Sequence, residues 1–93
     1  MIIGILNLVL YIPNSNSLKA KRQVLHSLKA NLKNSFNVAV TQVDNEDKWQ
    51  KAQLAVVGVE KSRETMNGCL SRVINFVENF NQIELVDHQI ELI

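Results

Sequence analysis

Two histidines, one cysteine and a short acidic cluster are the residues of this 93-residue chain whose types could support ligation or nucleophilic chemistry. Their spacing does not assemble them. His26 falls on the outward face of a predicted helix and His88 in the last predicted strand, with no Cys or carboxylate at metal-ligand spacing. Cys69 lies on the apolar stripe of a second predicted helix, where a thiol is a small core hydrophobe rather than a nucleophile. Asp44, Glu46 and Asp47 could hold a divalent ion weakly. Their segment lacks the glycine and closing glutamate of a calcium loop, and reads as a solvated turn. Gly4, Gly58 and Gly68 are isolated, so there is no glycine-rich phosphate loop. The expectation is a non-enzyme with no metal and no cofactor.

The cations are better organised. In "NSNSLKAKRQ" (14–23), Ser17 is a good N-cap, yet Lys19, Lys21 and Arg22 follow where a helix N-terminus already carries partial positive charge. At 100° per residue, Lys19, Arg22, His26, Lys29 and Lys33 fall within an arc of about 80° opposite the leucines. Lys21 points into the apolar stripe. It either snorkels over the sheet end, pairs with a carboxylate such as Glu60 or Asp87, or meets a ligand. Lys61 and Arg63 begin the second helix. The net charge of +1 hides an asymmetry, because residues 1–43 contain five basic and no acidic residues while 44–93 carry a net −4.

The elements that must position these groups follow from periodicity. Residues 2–12 form a continuous apolar run ended by Pro13, a buried strand. A run of that length is too short to cross a membrane, and it lacks the flanks of a signal peptide. From Ser17 the pattern turns helical, with Leu18, Val24, Leu25, Leu28 and Leu32 on one face. "FNVAVTQVD" (36–44) alternates as a strand, 45–47 turns, and 49–60 is a long strand opened by Trp49, which would cap the core or anchor a partner. Met66, Cys69, Leu70, Val73, Val77 and Phe80 make the stripe of a helix capped by Ser62, and 83–93 is the last strand. The composition (46% hydrophobic, 20% charged) fits one globular domain over 1–93. A lone cysteine fits a cytoplasmic setting.

The order βαββαβ gives an α+β, ferredoxin-like sandwich: a four-stranded sheet in the order 4-1-3-2 with both helices on one face. Two expectations depend on that arrangement. With β1 and β3 taken as parallel central strands, both helices begin at one sheet edge. Lys19, Lys21, Arg22, Lys61 and Arg63 then gather there as an anion site, opposite an acidic hairpin. The face without helices has an apolar centre of Ile3, Ile5, Val9, Tyr11, Val57 and Val59, flanked by Thr41, Asp87, Gln89 and Glu91. That centre wants a cover and suggests a homodimer.

"SLKAKR" (17–22), "FNVAV" (36–40) and "WQKAQL" (49–54) together resemble the YlxP-like family of small bacterial proteins, a domain-of-unknown-function family (DUF503). The resemblance spans nearly the whole chain and implies a ferredoxin-like fold in a cytoplasmic protein of no established activity. Family genes often lie among those for translation initiation and ribosome maturation, which favours RNA or ribosomal contact. Two positions depart from the family pattern: Ala39 stands where serine is common, and Gln42 where glutamate is common.

The first expectation for function is therefore RNA or ribosomal contact through Lys19, Lys21, Arg22, Lys29, Lys33, Lys61 and Arg63. The central strands offer only Tyr11, so a base-stacking sheet is not expected, and no DNA-reading motif is present. The alternatives are a protein-docking module on the open face and a domain binding a small anion at the helix starts.

Overall fold

The structure, a computed structural model, describes residues 1–44 and 50–93. The turn expected at 45–47 and Trp49 lie outside the described residues. The elements are β1 (Ile2–Tyr11), α1 (Leu18–Ser35), β2 (Val38–Gln42), β3 (Lys51–Glu60), α2 (Arg63–Glu78) and β4 (Glu84–Leu92). They build one four-stranded antiparallel sheet in the order β2-β3-β1-β4, with both helices on one face, which is the expected ferredoxin-like fold.

Local chemistry sets the boundaries. The Ser17 hydroxyl accepts the Ala20 N–H at 3.1 Å and opens α1, and the Ser62 hydroxyl accepts the Thr65 N–H at 3.2 Å and opens α2. At the end of α1 the Phe36 N–H donates to the Leu32 carbonyl at 3.0 Å, and the Phe36 ring stands edge-on to Phe76. Phe36 thereby belongs to the helix exit, and β2 starts two residues later than its alternation predicts.

One expectation is overturned. β1 and β3 are not parallel: they pair antiparallel from Ile2↔Glu60 to Tyr11↔Lys51. The crossover through α1 returns β2 parallel to β1, and β3 pairs antiparallel with β2, so β3 must oppose β1. The two helices consequently begin at opposite ends of the sheet.

Alternate residues of β1 (Leu6, Leu8, Leu10) and β3 (Leu54, Val56) are fully buried against Leu25, Leu28 and Leu32 of α1 and Met66, Leu70, Val73 and Val77 of α2. Gly4 and Gly58 are directly paired across β1 and β3. Their missing side chains leave a notch that the fully buried Met66 fills. A Cβ on Gly4 would lie 2.7 Å from the Met66 Cγ and Sδ, and one on Gly58 would lie 3.0 Å from its Cε. Gly4→Ala should therefore cost about 1–3 kcal/mol through overpacking. Met66→Ala should cost less in that background than in the wild type, a non-additivity that denaturant melts of the four proteins would measure.

Candidate functional site

The cationic face of α1 is continuous, and its N-terminal half borders a groove. Lys19, Arg22, Gln23, Leu25, His26 and Lys29 line it from the helix and Gln42 from the end of β2. Its volume is about 600 Å³. α1 packs over β2, so the groove runs along the β2 flank of the molecule. Among the described residues no carboxylate lines it. Gln42 is half-buried and its amide donates to the Asp44 carboxylate at 2.9 Å, which holds the side chain at the groove's edge. Lys33 lies exposed farther along the same helix, near its end.

Two groups of predicted site residues are not brought to this groove. Lys61 and Arg63 stand at the start of α2, beyond Glu60, while α1 starts beyond Tyr11. The ten-residue β3 separates those ends by about 30 Å at roughly 3.4 Å per residue. Glu60 and Glu64 also flank Lys61 and Arg63, so that end is of mixed charge. The five-cation edge expected from parallel central strands does not form. The acidic end expected opposite α1 is not there either. The β2–β3 connection leaves the sheet at the same edge as α1's start, where the Gln50 carbonyl accepts the Ile12 N–H at 2.8 Å. Glu46 and Asp47 lie outside the described residues.

Lys21 is the second departure. It is 1% exposed and shares the stripe of Leu25, Leu28 and Leu32, so it has no surface to offer a phosphate. Its amine is not without a partner. Glu60 is excluded as that partner by its place at the far edge of the sheet. Burial of an ammonium is tolerable only when its charge is answered, so Lys21 is part of the packing.

With antiparallel central strands, charge is polarised across the strands rather than along them. The basic helix lies over β2, and Glu84, Asp87 and Glu91 stand on β4 at the other edge.

The open face is also re-partitioned. Cross-strand pairs Ile3↔Val59 and Ile5↔Val57 form one apolar patch, extended by Ile93, which exchanges backbone hydrogen bonds with Ile3. Val57, Val59 and Ile93 are exposed (36%, 48% and 61%). Val9 and Tyr11 are separated from that patch by the exposed Asn7 and pair instead with Gln53 and Lys51. Sequence alternation found the patch but missed Ile93, whose place beside Ile3 depends on the pairing register of β4 with β1. Ala39 is exposed on this face, opposite Val57.

The geometry can be set beside known proteins. The model of a family described as a protein of unknown function (DUF503) matches residues 3–90. The chain is a member of that family. A relative described as the uncharacterized protein YlxP of Bacillus subtilis (strain 168) is 34% identical over 71 residues, covering 76% of this chain and 77% of that protein. Among solved structures, the de novo designed protein Foldit4 superposes with a TM-score of 0.50 at 9% identity, covering 100% of this chain and 94% of that one, a likeness of fold alone. The family brings no assigned activity, so function must be argued from the surface of this member. No helix among the described residues is long and apolar enough to cross a membrane.

Cys69 is 4% exposed, and burial raises its pKa above the ordinary value of 9.0; nearby Arg72 partly offsets the rise and Glu60 adds to it. The folded state thus favours the neutral thiol. Its contribution to stability is complete below about pH 9 and is lost as pH climbs through the raised folded value. Urea melts should therefore show the advantage of wild type over Cys69→Ala shrinking above that pH and constant below it.

Proposed function

We propose that this DUF503 member is a non-enzymatic, cytoplasmic RNA-binding protein that holds a phosphate backbone along α1, as free RNA or on a ribosomal particle. The observation that carries the reading is the α1–β2 groove, which Lys19, Arg22, His26 and Lys29 line with no carboxylate among the described residues. Phosphates are bound by such clusters through charge and counterion release, with little reading of sequence. Lys33 extends the track, while Lys61, Arg63 and Lys21 take no part in it.

Fluorescence anisotropy with a single-stranded RNA over a range of salt concentrations tests this. Three to four phosphate contacts should give a log–log slope of about −2 to −3. Replacing Lys19, Arg22 and Lys29 with Glu should abolish binding, and Gln42→Glu should weaken it without removing a cation. Lys61→Glu with Arg63→Glu should leave affinity unchanged. Lys21→Ala should lower stability by about 2–5 kcal/mol, the cost of emptying a buried site, rather than affinity. Absence of binding at low salt, or loss only with the Lys61 and Arg63 changes, would sink the proposal.

A second reading rests on a different surface. Ile3, Ile5, Val57, Val59 and Ile93 leave an uncovered apolar patch on the open face, and a twofold pairing of two copies there would remove it from water. Sedimentation velocity should then find a dimer that Val59→Glu dissociates. A monomer at high protein concentration would rule it out.

A further inference from the structure

We propose that the cleft beside the start of α1 receives the base of a nucleotide whose phosphate lies in the neighbouring cationic groove. The inference rests on the phosphate reading of that groove and deepens it, from a backbone grip to uptake of an unpaired base. The cleft measures about 400 Å³ and lies between the first turns of α1, the β1–α1 connection and the turn before β4. That volume is within the roughly 300–1,000 Å³ of small-molecule sites. Val24 and Phe80 line it together with Asn14, Gln23, Asn81 and Gln82, four residues that carry carboxamides; among the described residues no Lys, Arg or carboxylate does.

Amides around an aromatic ring are the groups that take up an unpaired base. Each carboxamide sets a donor beside an acceptor, which matches the edges of a base, and the ring offers a surface for its π-face. Phe80 is held in a row of rings, 5.9 Å from Phe76, which stands 5.9 Å and edge-on from Phe36. Gln82 holds φ at 73°, a left-handed conformation that residues other than glycine seldom adopt, so the turn carrying two of the amides has a defined shape.

Gln23 joins the two concavities. It lines the amide cleft and also the groove of Lys19, Arg22, His26 and Lys29. A ligand seated in both would be anionic on one side of Gln23 and neutral, flat and hydrogen-bonding on the other. A nucleotide unit has that composition. The cleft lies on the helix side of the sheet, so a strand so bound would leave the open sheet face free.

The test compares a single-stranded RNA of about eight nucleotides with a sugar–phosphate strand of equal length that lacks bases, by fluorescence anisotropy. The base-bearing strand should bind wild type at least about fivefold more tightly, with the same salt slope. Phe80→Leu, Asn81→Ala and Gln23→Ala should each bring it toward the base-free strand without changing that slope. The last two replace exposed residues and preserve the test if Phe80→Leu unfolds. Equal affinity for the two strands, with the steep slope intact, would overturn the base site and leave the phosphate groove standing. Failure of both strands to bind would overturn both. A nucleoside monophosphate shifting the amide signals of Gln23 and Asn81 at the same concentrations as the strand would support the cleft and overturn the strand reading.

Discussion

The antiparallel pairing of β1 with β3 is the constraint from which the rest of this molecule follows. It holds the two most buried strands in a single register over ten residues, and by reversing β3 it sends the two helices out from opposite ends of the sheet. Helix direction then decides which charged residues can meet. Cations on α1 remain together because one helix carries them. Lys61 and Arg63, at the start of α2, are removed by the length of the sheet. The same pairing places Gly4 against Gly58, and that pair makes room for Met66, which seats the first turns of α2 on the sheet.

Electrostatics and packing are separated on α1 by about 100° of rotation. Lys21 shares its type and neighbourhood with Lys19 and Arg22, yet it belongs to the stripe of Leu25, Leu28 and Leu32 and is closed off from solvent. Lys19, Arg22 and Lys29 line the groove, and Gln42 at its edge presents an amide that donates to the Asp44 carboxylate. A carboxylate at that position, common in the pattern this chain resembles, would draw Lys19, Arg22 or Lys29 into an internal pair and lower the field available to a ligand.

The molecule thus has surfaces of distinct character on its two sides. The helix side bears the basic groove and the neutral amide cleft, joined at Gln23. The open side bears the apolar patch near the start of α2, with the acidic β4 at its edge. Use of one side does not obstruct the other, so phosphate binding and self-association are compatible in one chain.

Much of this was legible in the sequence. Alternation in β1 and β3, the 3.6-residue stripes and the two serine caps are local signals, and each depends only on residues within a turn or two. They determined the order βαββαβ, the core, the burial of Cys69 and the cationic face of α1. The tilt of Lys21 into the leucine stripe was equally local. Strand direction was not, because it depends on how a crossover and a reversal combine, and the distance between Lys19 and Lys61 depends on that direction. The amide cleft was further out of reach. Asn14, Gln23 and Asn81 are unremarkable surface residues along the chain, and they face one hollow only because the β1–α1 connection and the turn before β4 meet at the same end of the sheet. Sequence by itself determined what each element buries and exposes, since that is a matter of period. Tertiary structure alone decided which exposed groups are neighbours, since that is a matter of direction and register.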